Sequence, residues 1–282
     1  MTTAVIGLGL IGGSVAKSLK GFMNSKIIGY DKDNNTINNA LSDEVISDGY
    51  TSGGEFLRNC DFIILCLYPQ ANIDFIKENA CYLKKGAIVT DVSGVKEYVV
   101  KEVSEILPDD VEFIGAHPMA GKELGGYLNS DENLFKNASF LITPTEKNSE
   151  KSIELIKKFA KHIGCSNITC TTVREHDEII AYTSQLMHVV AVALCNNPII
   201  EKSTYFSAGS LRDCTRVALI NEKMWSELFL ENKNALSERI AEMIYNLQEI
   251  KDAIDGDDRA RLEDLMKSAK NRKLKWLSEK YK

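Results

Sequence analysis

The feature that most constrains this 282-residue chain is a glycine-rich turn directly after its first apolar segment. Thr2–Ile6 runs into the sequence GLGLIG at residues 7–12, and a second apolar segment, Lys26–Tyr30, ends in Asp31. Strand, glycine turn, helix, strand and acid follow the order that a dinucleotide-binding unit requires. The sequence therefore predicts a Rossmann-type nucleotide site at the N-terminus.

Each position in this turn has a predicted role in holding NAD. Gly7 permits the tight turn, Gly9 lets the backbone approach a pyrophosphate, and Gly12 lets the helix pack closely on the strand. The first helical residues, Leu10 and Ile11, supply free N–H groups and the positive end of the helix dipole.

Asp31 stands about 20 residues after the last glycine, where a carboxylate can accept the hydroxyls of the adenosine ribose. The same carboxylate would repel a 2′-phosphate, which favours NAD over NADP. Cys66, Leu67 and Ser93 lie at the ends of later predicted strands, and we expect them to complete the cofactor site.

Composition and charge exclude several other classes of protein. With 44% hydrophobic and 26% charged residues, the chain is typical of a globular protein. A net charge of −6 argues against nucleic acid as a partner. The longest apolar run, residues 189–195, is short of the ~20 residues that span a membrane, so no membrane partner is expected.

The seven cysteines form no Cys-x-x-Cys pair, which predicts reduced thiols rather than disulfides or a metal site. Met1 leads into the first strand without a basic leader, which predicts no signal peptide and a cytoplasmic protein.

Up to about residue 171 the pattern alternates short apolar strands with amphipathic helices. Further strands are predicted at residues 61–67, 87–91, 111–115 and 140–143, with helices at 71–83 and 149–163. Such alternation indicates an α/β fold, a doubly wound and mostly parallel Rossmann sheet.

From residue 172 to residue 282 the pattern is all-helical. Helices are predicted at residues 175–196, 224–254 and 258–277. The sequence thus predicts an NAD-binding domain at residues 1–171 and a helical substrate and dimerisation domain at 172–282. The apolar content of this second half suggests helices shared with a second subunit, as in a homodimer.

Two segments with unusual composition follow strands, at residues 90–96 and 115–123. In open α/β sheets ligands lie at the carboxyl ends of the strands. His117 is the titratable group of the second segment, suited to take a proton from a hydroxyl at neutral pH. The alternative is a histidine that only hydrogen-bonds its own loop.

Two further groups of polar residues lie in the helical half. Ser184 and His188 share one helix face, either toward a substrate or as a packing contact. Arg212 and Arg216 flank Asp213, either as a surface ion network or as a clamp for two carboxylates.

Taken together and in order, these blocks resemble the prephenate/arogenate dehydrogenase family of tyrosine biosynthesis, over essentially the whole chain. The matching blocks are Gly-Gly-Ser at 12–14, Asp-x-x-x-Val-Lys at 91–96, Gly-x-His-Pro-x-Ala-Gly at 115–121, His-Asp at 176–177, Thr-Ser-x-Leu-x-His at 183–188, Arg-Asp-x-Thr-Arg at 212–216 and Met-Trp at 224–225. The resemblance implies a Rossmann domain followed by a helical dimerisation domain.

The resemblance also implies roles for the residues. His117 is the base that bonds the ring hydroxyl of the substrate, assisted by Ser93. Ser184 and His188 line the pocket, and Arg216 binds a substrate carboxylate with Arg212 nearby. The implied reaction is an oxidative decarboxylation in which a hydride passes to NAD+, His117 takes the hydroxyl proton and carbon dioxide leaves.

Two positions depart from the family pattern: Ser93-Gly94 stands where many members have Gly-Ser, and Gln185 stands where others often have histidine.

Arogenate is the alternative substrate. A β-hydroxyacid dehydrogenase is a further alternative, but it would require a catalytic lysine on the predicted helix 175–196, which contains none. A non-catalytic dinucleotide sensor would need only the glycine turn and Asp31.

Overall fold

The computed structural model describes residues 1–122 and 124–280 of the chain. The chain divides into two compact units, residues 1–233 and residues 234–282. The first contains the sheet and most of the helices, and the second consists of C-terminal helices. The division at residues 171 and 172 follows instead the change from strands to helices in the sequence, and it stays a prediction.

The strands of the described residues form one eight-stranded sheet. They are β1 (Thr2–Ile6), β2 (Lys26–Tyr30), β3 (Asp48–Tyr50), β4 (Phe62–Leu65), β5 (Ile88–Asp91), β6 (Glu112–Pro118), β7 (Ser139–Thr143) and β8 (Asn167–Cys170). Their spatial order is β3-β2-β1-β4-β5-β6-β7-β8, all parallel except the antiparallel pair β6–β7. The predicted fold class is confirmed, and the order reverses between β1 and β4, where such sheets bind ligands.

Both faces of the sheet are buried. Val5 and Ile64 belong to the apolar cluster on one face, whereas Ile6 and Leu65 belong to the cluster on the other. Successive side chains of a strand point to opposite faces, so continuous apolar runs are required where helices cover both sides.

The helices are α1 (Leu10–Ser18), α2 (Asn34–Ser42), α3 (Pro69–Asn79), α4 (Glu97–Ile106), α5 (Glu150–His162), α6 (Val173–Ile180), α7 (Leu186–Cys195), α8 (Gly209–Thr215), α9 (Glu222–Glu231), α10 (Lys233–Asp255) and α11 (Arg259–Lys280). Local sequence sets several of their starts. Asp33, Ser149 and Thr172 each accept a hydrogen bond from a first-turn N–H, at α2, α5 and α6 respectively.

Strand β6 is longer than the sequence predicts. It continues to Pro118, so His117 lies within the strand and not in a loop after residue 115. His117 pairs in register with Leu141 of the antiparallel strand β7. The extension depends on this neighbour, which is distant in sequence, and so the apolar pattern of β6 alone did not show it.

The predicted helix 175–196 corresponds to one continuous helical stretch, Val173–Cys195, that widens within its length, whereas the predicted helix 224–254 is interrupted. A π-helical turn, Ala181–Gln185, separates α6 from α7. Asn232, with φ −107° and ψ 28°, separates α9 from α10. Its buried side chain donates to the Asp177 carbonyl at 2.9 Å and to Gln185 Oε1 at 2.8 Å, so this break satisfies polar groups of another helix.

Among the described residues, the stretch Val173–Cys195 has the length and composition of a membrane span, with mean hydropathy 1.4. The uninterrupted apolar run within it, residues 189–195, is much shorter. Near its start, His176 and Asp177 are buried, and Asp177 accepts the backbone N–H groups of Lys96 and Glu97. The absence of a membrane partner stays a prediction.

Candidate functional site

The glycine turn forms a tight floor beneath an open space at the start of α1. Gly7 has φ +90°, and a Cβ on Gly12 would lie 1.7 Å from the Gly7 carbonyl oxygen, so both positions require glycine. A Cβ on Gly9 would meet no atom within 4 Å. Leu10 and Ile11 begin the helix, whose first-turn N–H groups lack intrahelical partners. This cradle fits a pyrophosphate group.

Asp31 lies where β2 ends, beside the glycine turn. Its Oδ2 accepts the Leu8 N–H at 2.9 Å, and its Oδ1 accepts the Asp33 N–H at 2.9 Å. The backbone therefore holds the carboxylate in place at the position where the sequence predicts the ribose contact.

The ends of β4 and β5 are joined by the buried side chain of Asn72. Its Nδ2 donates to the Leu67 carbonyl at 3.2 Å and to Ser93 Oγ at 3.1 Å, while its Oδ1 accepts the Leu67 N–H at 3.1 Å. The Cys66 N–H donates to the Ile6 carbonyl at 2.7 Å, which places this group next to β1. The structure thus brings Cys66, Leu67 and Ser93 together near the switch point.

Within the described ranges, the structure shows no hydrogen bond between Ser93 and His117: the Ser93 hydroxyl bonds Asn72. Ser93 therefore lies on the nucleotide side of the site in this structure. Its predicted catalytic role stays a prediction.

Asp91, at the end of β5, and Lys96, directly before α4, form a fully buried ion pair. Lys96 and Asp91 have no exposed side-chain surface, and Lys96 Nζ donates to Asp91 Oδ2. Asp91 also accepts the N–H groups of Ser93 at 3.0 Å and Ala116 at 3.2 Å. Removing one partner of such a pair typically costs about 3–5 kcal/mol. The pair fastens the segment after β5 to β6, one residue before His117.

The ring of His117 bonds a second histidine on α6. His117 Nδ1 lies 3.0 Å from His176 Nε2, and His176 Nδ1 lies 2.6 Å from Asp177 Oδ1. The carboxylate oxygens of Asp177 accept the N–H groups of Lys96 and Glu97, both at 2.8 Å, where α4 begins. We refer to these three side chains as the His117–His176–Asp177 chain.

Burial favours the neutral form of both imidazoles of this chain. Burial, with smaller contributions from the neighbouring His176 ring and the positive charge of Lys96, holds the pKa of His117 well below its usual range. Burial also lowers the pKa of His176, against the hydrogen bond to Asp177 that raises it. His176 is only 1% exposed, whereas His117 is half-buried, so His117 is the member that a small molecule can reach.

The π-helical turn carries Ser184, which is half-buried, and Gln185, which is fully buried. Gln185 Nε2 donates to the Leu228 carbonyl at 3.0 Å, and its Oε1 accepts from Asn232. Gln185, one of the two departures from the family pattern, therefore holds α9 against the π turn.

His188 and Arg216 lie near each other in the helical part. The His188 ring packs on Trp225 with centroids 3.6 Å apart, and its Nδ1 donates to the Val217 carbonyl at 2.9 Å. Burial lowers the pKa of His188, and the positive charge of Arg216 lowers it further. Arg212 is mostly exposed and pairs with Asp213 at 3.3 Å, as a surface ion pair does.

Helix α9 connects this group with the sheet. Trp225 contacts His188, and Leu228, three residues later on the same face, lies 3.6 Å from the position of a Cβ on Gly94. The predicted site residues thus form three groups: those around the glycine turn and the ends of β4 and β5 (the nucleotide side), the His117–His176–Asp177 chain, and those on the helices after residue 172 (the helical side).

Three side chains of the site, Asn72, His176 and Asp177, have no role predicted from the sequence. His176 and Asp177 belong to a recognised sequence block, but nothing in the spacing showed that they contact His117. Asn72 carried no signal at all, because an asparagine within an amphipathic helix usually faces solvent.

Two family models match the chain. The first, described as the nucleotide-binding domain of prephenate dehydrogenase, matches residues 15–169, and the second, described as its dimerization domain, matches residues 172–268. Prephenate dehydrogenase of Bacillus subtilis (strain 168) is 30% identical over 277 residues, which cover 96% of this chain and 74% of that protein.

Two solved structures show the same fold over almost the whole chain. A crystal structure of prephenate dehydrogenase from A. aeolicus, in complex with hydroxyphenyl propionate and NAD+, has a TM-score of 0.87 and 30% identity, covering 98% of both chains. A crystal structure of Synechocystis arogenate dehydrogenase has a TM-score of 0.84 and 26% identity, covering 98% of this chain and all of that one (100%).

Proposed function

The chain belongs to the prephenate dehydrogenase family of NAD-dependent dehydrogenases, and on that premise we propose that it converts prephenate to 4-hydroxyphenylpyruvate by oxidative decarboxylation. The observation that carries the proposal is the position of His117. It is a half-buried, neutral imidazole at the carboxyl end of β6, with one ring nitrogen bonded to His176 and the other left to act on a substrate.

The nucleotide side has the shape that this reaction requires. The cradle of Gly7, Gly9 and Gly12 leaves room for a pyrophosphate at the start of α1, and Asp31 is held in place for the adenosine ribose. When bound there, NAD+ supplies the hydride acceptor of the reaction.

The substrate side supplies a base and positive charge. His117 takes the proton of the ring hydroxyl as the hydride leaves, and returns it to the same oxygen when loss of carbon dioxide makes the ring aromatic. Arg216 binds a substrate carboxylate, since a guanidinium matches a carboxylate bidentately, and Arg212 adds positive charge nearby. Ser184 and His188 line the pocket, with His188 held by Trp225.

Arogenate is a second candidate substrate, favoured by the similarity to the Synechocystis arogenate dehydrogenase. The two compounds differ in an amine against a keto group on the side chain. The deciding measurement is kcat/KM for prephenate and for arogenate, each with NAD+ and NADP+.

We expect prephenate with NAD+ to give the highest value. NAD+ should exceed NADP+ by at least about tenfold, because Asp31 faces the position of the 2′-phosphate, and tenfold corresponds to ~1.4 kcal/mol. A higher value with arogenate would identify an arogenate dehydrogenase. Turnover of neither compound would contradict the proposal, and equal use of both cofactors would contradict the role of Asp31.

We further propose that the enzyme is a cytoplasmic homodimer that associates through its helical half. The support is the dimerization-domain model over residues 172–268 and the exposed apolar side chains of that half.

A further inference from the structure

We propose that His176 is a positioning residue for His117. With Asp177 behind it, His176 holds His117 in the tautomer whose Nδ1 carries the proton and whose Nε2 carries the lone pair. This inference rests on the proposed function of His117 as the base. It assigns a role to a residue that the proposed reaction does not otherwise use.

The direction of each hydrogen bond follows from the carboxylate of Asp177. A carboxylate only accepts hydrogen bonds, so His176 Nδ1, 2.6 Å from Asp177 Oδ1, is a donor. A neutral imidazole has one N–H, and His176 Nε2 must therefore accept. The proton between the two rings, 3.0 Å apart, consequently belongs to His117 Nδ1, which leaves Nε2 of His117 as the base.

The chain is anchored in groups that cannot rearrange easily. Asp177 accepts two backbone N–H groups at the start of α4 and so cannot turn away from His176. His176 is 1% exposed, so water does not compete for its ring nitrogens. The other charged groups near the pair are the Asp91–Lys96 ion pair at the start of α4, and Glu231 of α9, which lies near Asp177.

This arrangement serves His117 both before and after proton uptake. Before uptake, it directs the lone pair to Nε2, the nitrogen that His176 does not engage. After uptake of the hydroxyl proton on Nε2, the Nδ1–H bond to His176 remains, and the positive charge of the imidazolium is met by the His176 lone pair and the Asp177 carboxylate. No proton has to move along the chain.

The tautomer can be read directly by ¹⁵N NMR of the full-length protein labelled at histidine. The chain has four histidines, which keeps assignment simple. We expect His117 to be protonated at Nδ1 and unprotonated at Nε2 in the wild type. In His176→Leu, which has no acceptor, this preference should be lost. His162→Gln is the matched control, because His162 is an exposed residue of α5 that bonds the Lys20 carbonyl at 3.2 Å and packs on Phe22, away from His117.

Kinetics separate positioning from a structural role. In His176→Leu we expect kcat to fall roughly 10- to 100-fold, with KM and NAD+ affinity unchanged, a loss of the size found for the outer partners that orient metal-bound histidines. His176→Gln should recover most of the activity, since its amide oxygen can accept from His117 and its NH₂ group can donate to Asp177.

Two results would overturn the inference. One is a folded His176→Leu protein with unchanged kcat and an unchanged His117 tautomer. The other is an equal loss of kcat in the Leu and Gln variants together with a lower Tm and a raised KM, which indicates packing alone. A wild type that turns over neither prephenate nor arogenate would instead contradict the proposed function, and the NMR measurement would still decide the inference.

Discussion

The carboxyl edge of the sheet and the segment between α7 and α9 are built in opposite ways. At the edge, Asp91 and Lys96 are charged yet fully buried, and each has its partners within the chain. In the segment, Tyr205 is 97% exposed, Phe206 91% and Leu219 84%. Buried charges are tolerated only where they are paired, and large apolar side chains rarely cluster in water without a partner surface. The charges at the edge thus have their partners within one chain, whereas the apolar side chains of the segment require a partner surface.

The second unit, taken by itself, repeats the pattern of the segment. On α10, Ile244, Tyr245, Leu247 and Ile254 are all more than half exposed. The dimerization-domain model covers both the segment and α10. The comparison therefore predicts that substitutions at the edge change the chemical step, while substitutions in the helical part change substrate affinity or assembly.

The largest effect is expected at the edge, for His117→Asn. Asparagine keeps a hydrogen-bonding group but cannot take the hydroxyl proton, so kcat should fall by about 10²–10⁴-fold with little change in KM. Because the pKa of His117 is held well below its usual range, wild-type kcat should decline only well below pH ~6.5, as the base becomes protonated. That limb should vanish in the variant. A near-normal kcat with the limb intact would move the role of base to another residue, with His188 next to test.

A smaller effect, and one of a different kind, is expected on the helical side for Arg216→Ala. The guanidinium binds a carboxylate that is present in the ground state and the transition state alike, so the change should appear mainly in KM. A charged hydrogen bond contributes about 1.5–3 kcal/mol, which corresponds to roughly 10- to 150-fold in kcat/KM. A loss confined to kcat would contradict the prediction that the helical side determines substrate affinity rather than the chemical step.

The smallest effect on catalysis is expected for Phe206→Ser, which concerns assembly. If Phe206 is buried between subunits, its removal costs about 1.5 kcal/mol per subunit; a symmetric dimer loses two such side chains, which corresponds to roughly 150-fold in the dimer dissociation constant. Sedimentation velocity over a concentration series measures this, with Tyr50→Ser on the sheet as the control. A wild type that is monomeric and fully active at micromolar concentration would refute the assembly.

Much of the fold could be predicted from local sequence patterns. The β1 strand, the glycine turn and Asp31 are contiguous or nearly so, and each has a conformational requirement that the sequence displays. The π-helical turn and the break at Asn232 were missed because both depend on packing rather than on propensity. The apolar pattern of the predicted helix 224–254 continues past Asn232. The break at this residue follows from the hydrogen bonds that its side chain donates to α6 and to the π turn.

The sequence alone determined the doubly wound sheet, the nucleotide cradle and the residue types needed at the site. These follow from backbone sterics and from the periodic burial of apolar side chains, both of which act over short stretches of chain. Only the tertiary structure decided that His117, 59 residues before His176, meets it at 3.0 Å, and that the Ser93 hydroxyl bonds Asn72. A hydrogen bond requires donor and acceptor within a few tenths of an ångström, and such distances are set only when the helices pack against the sheet.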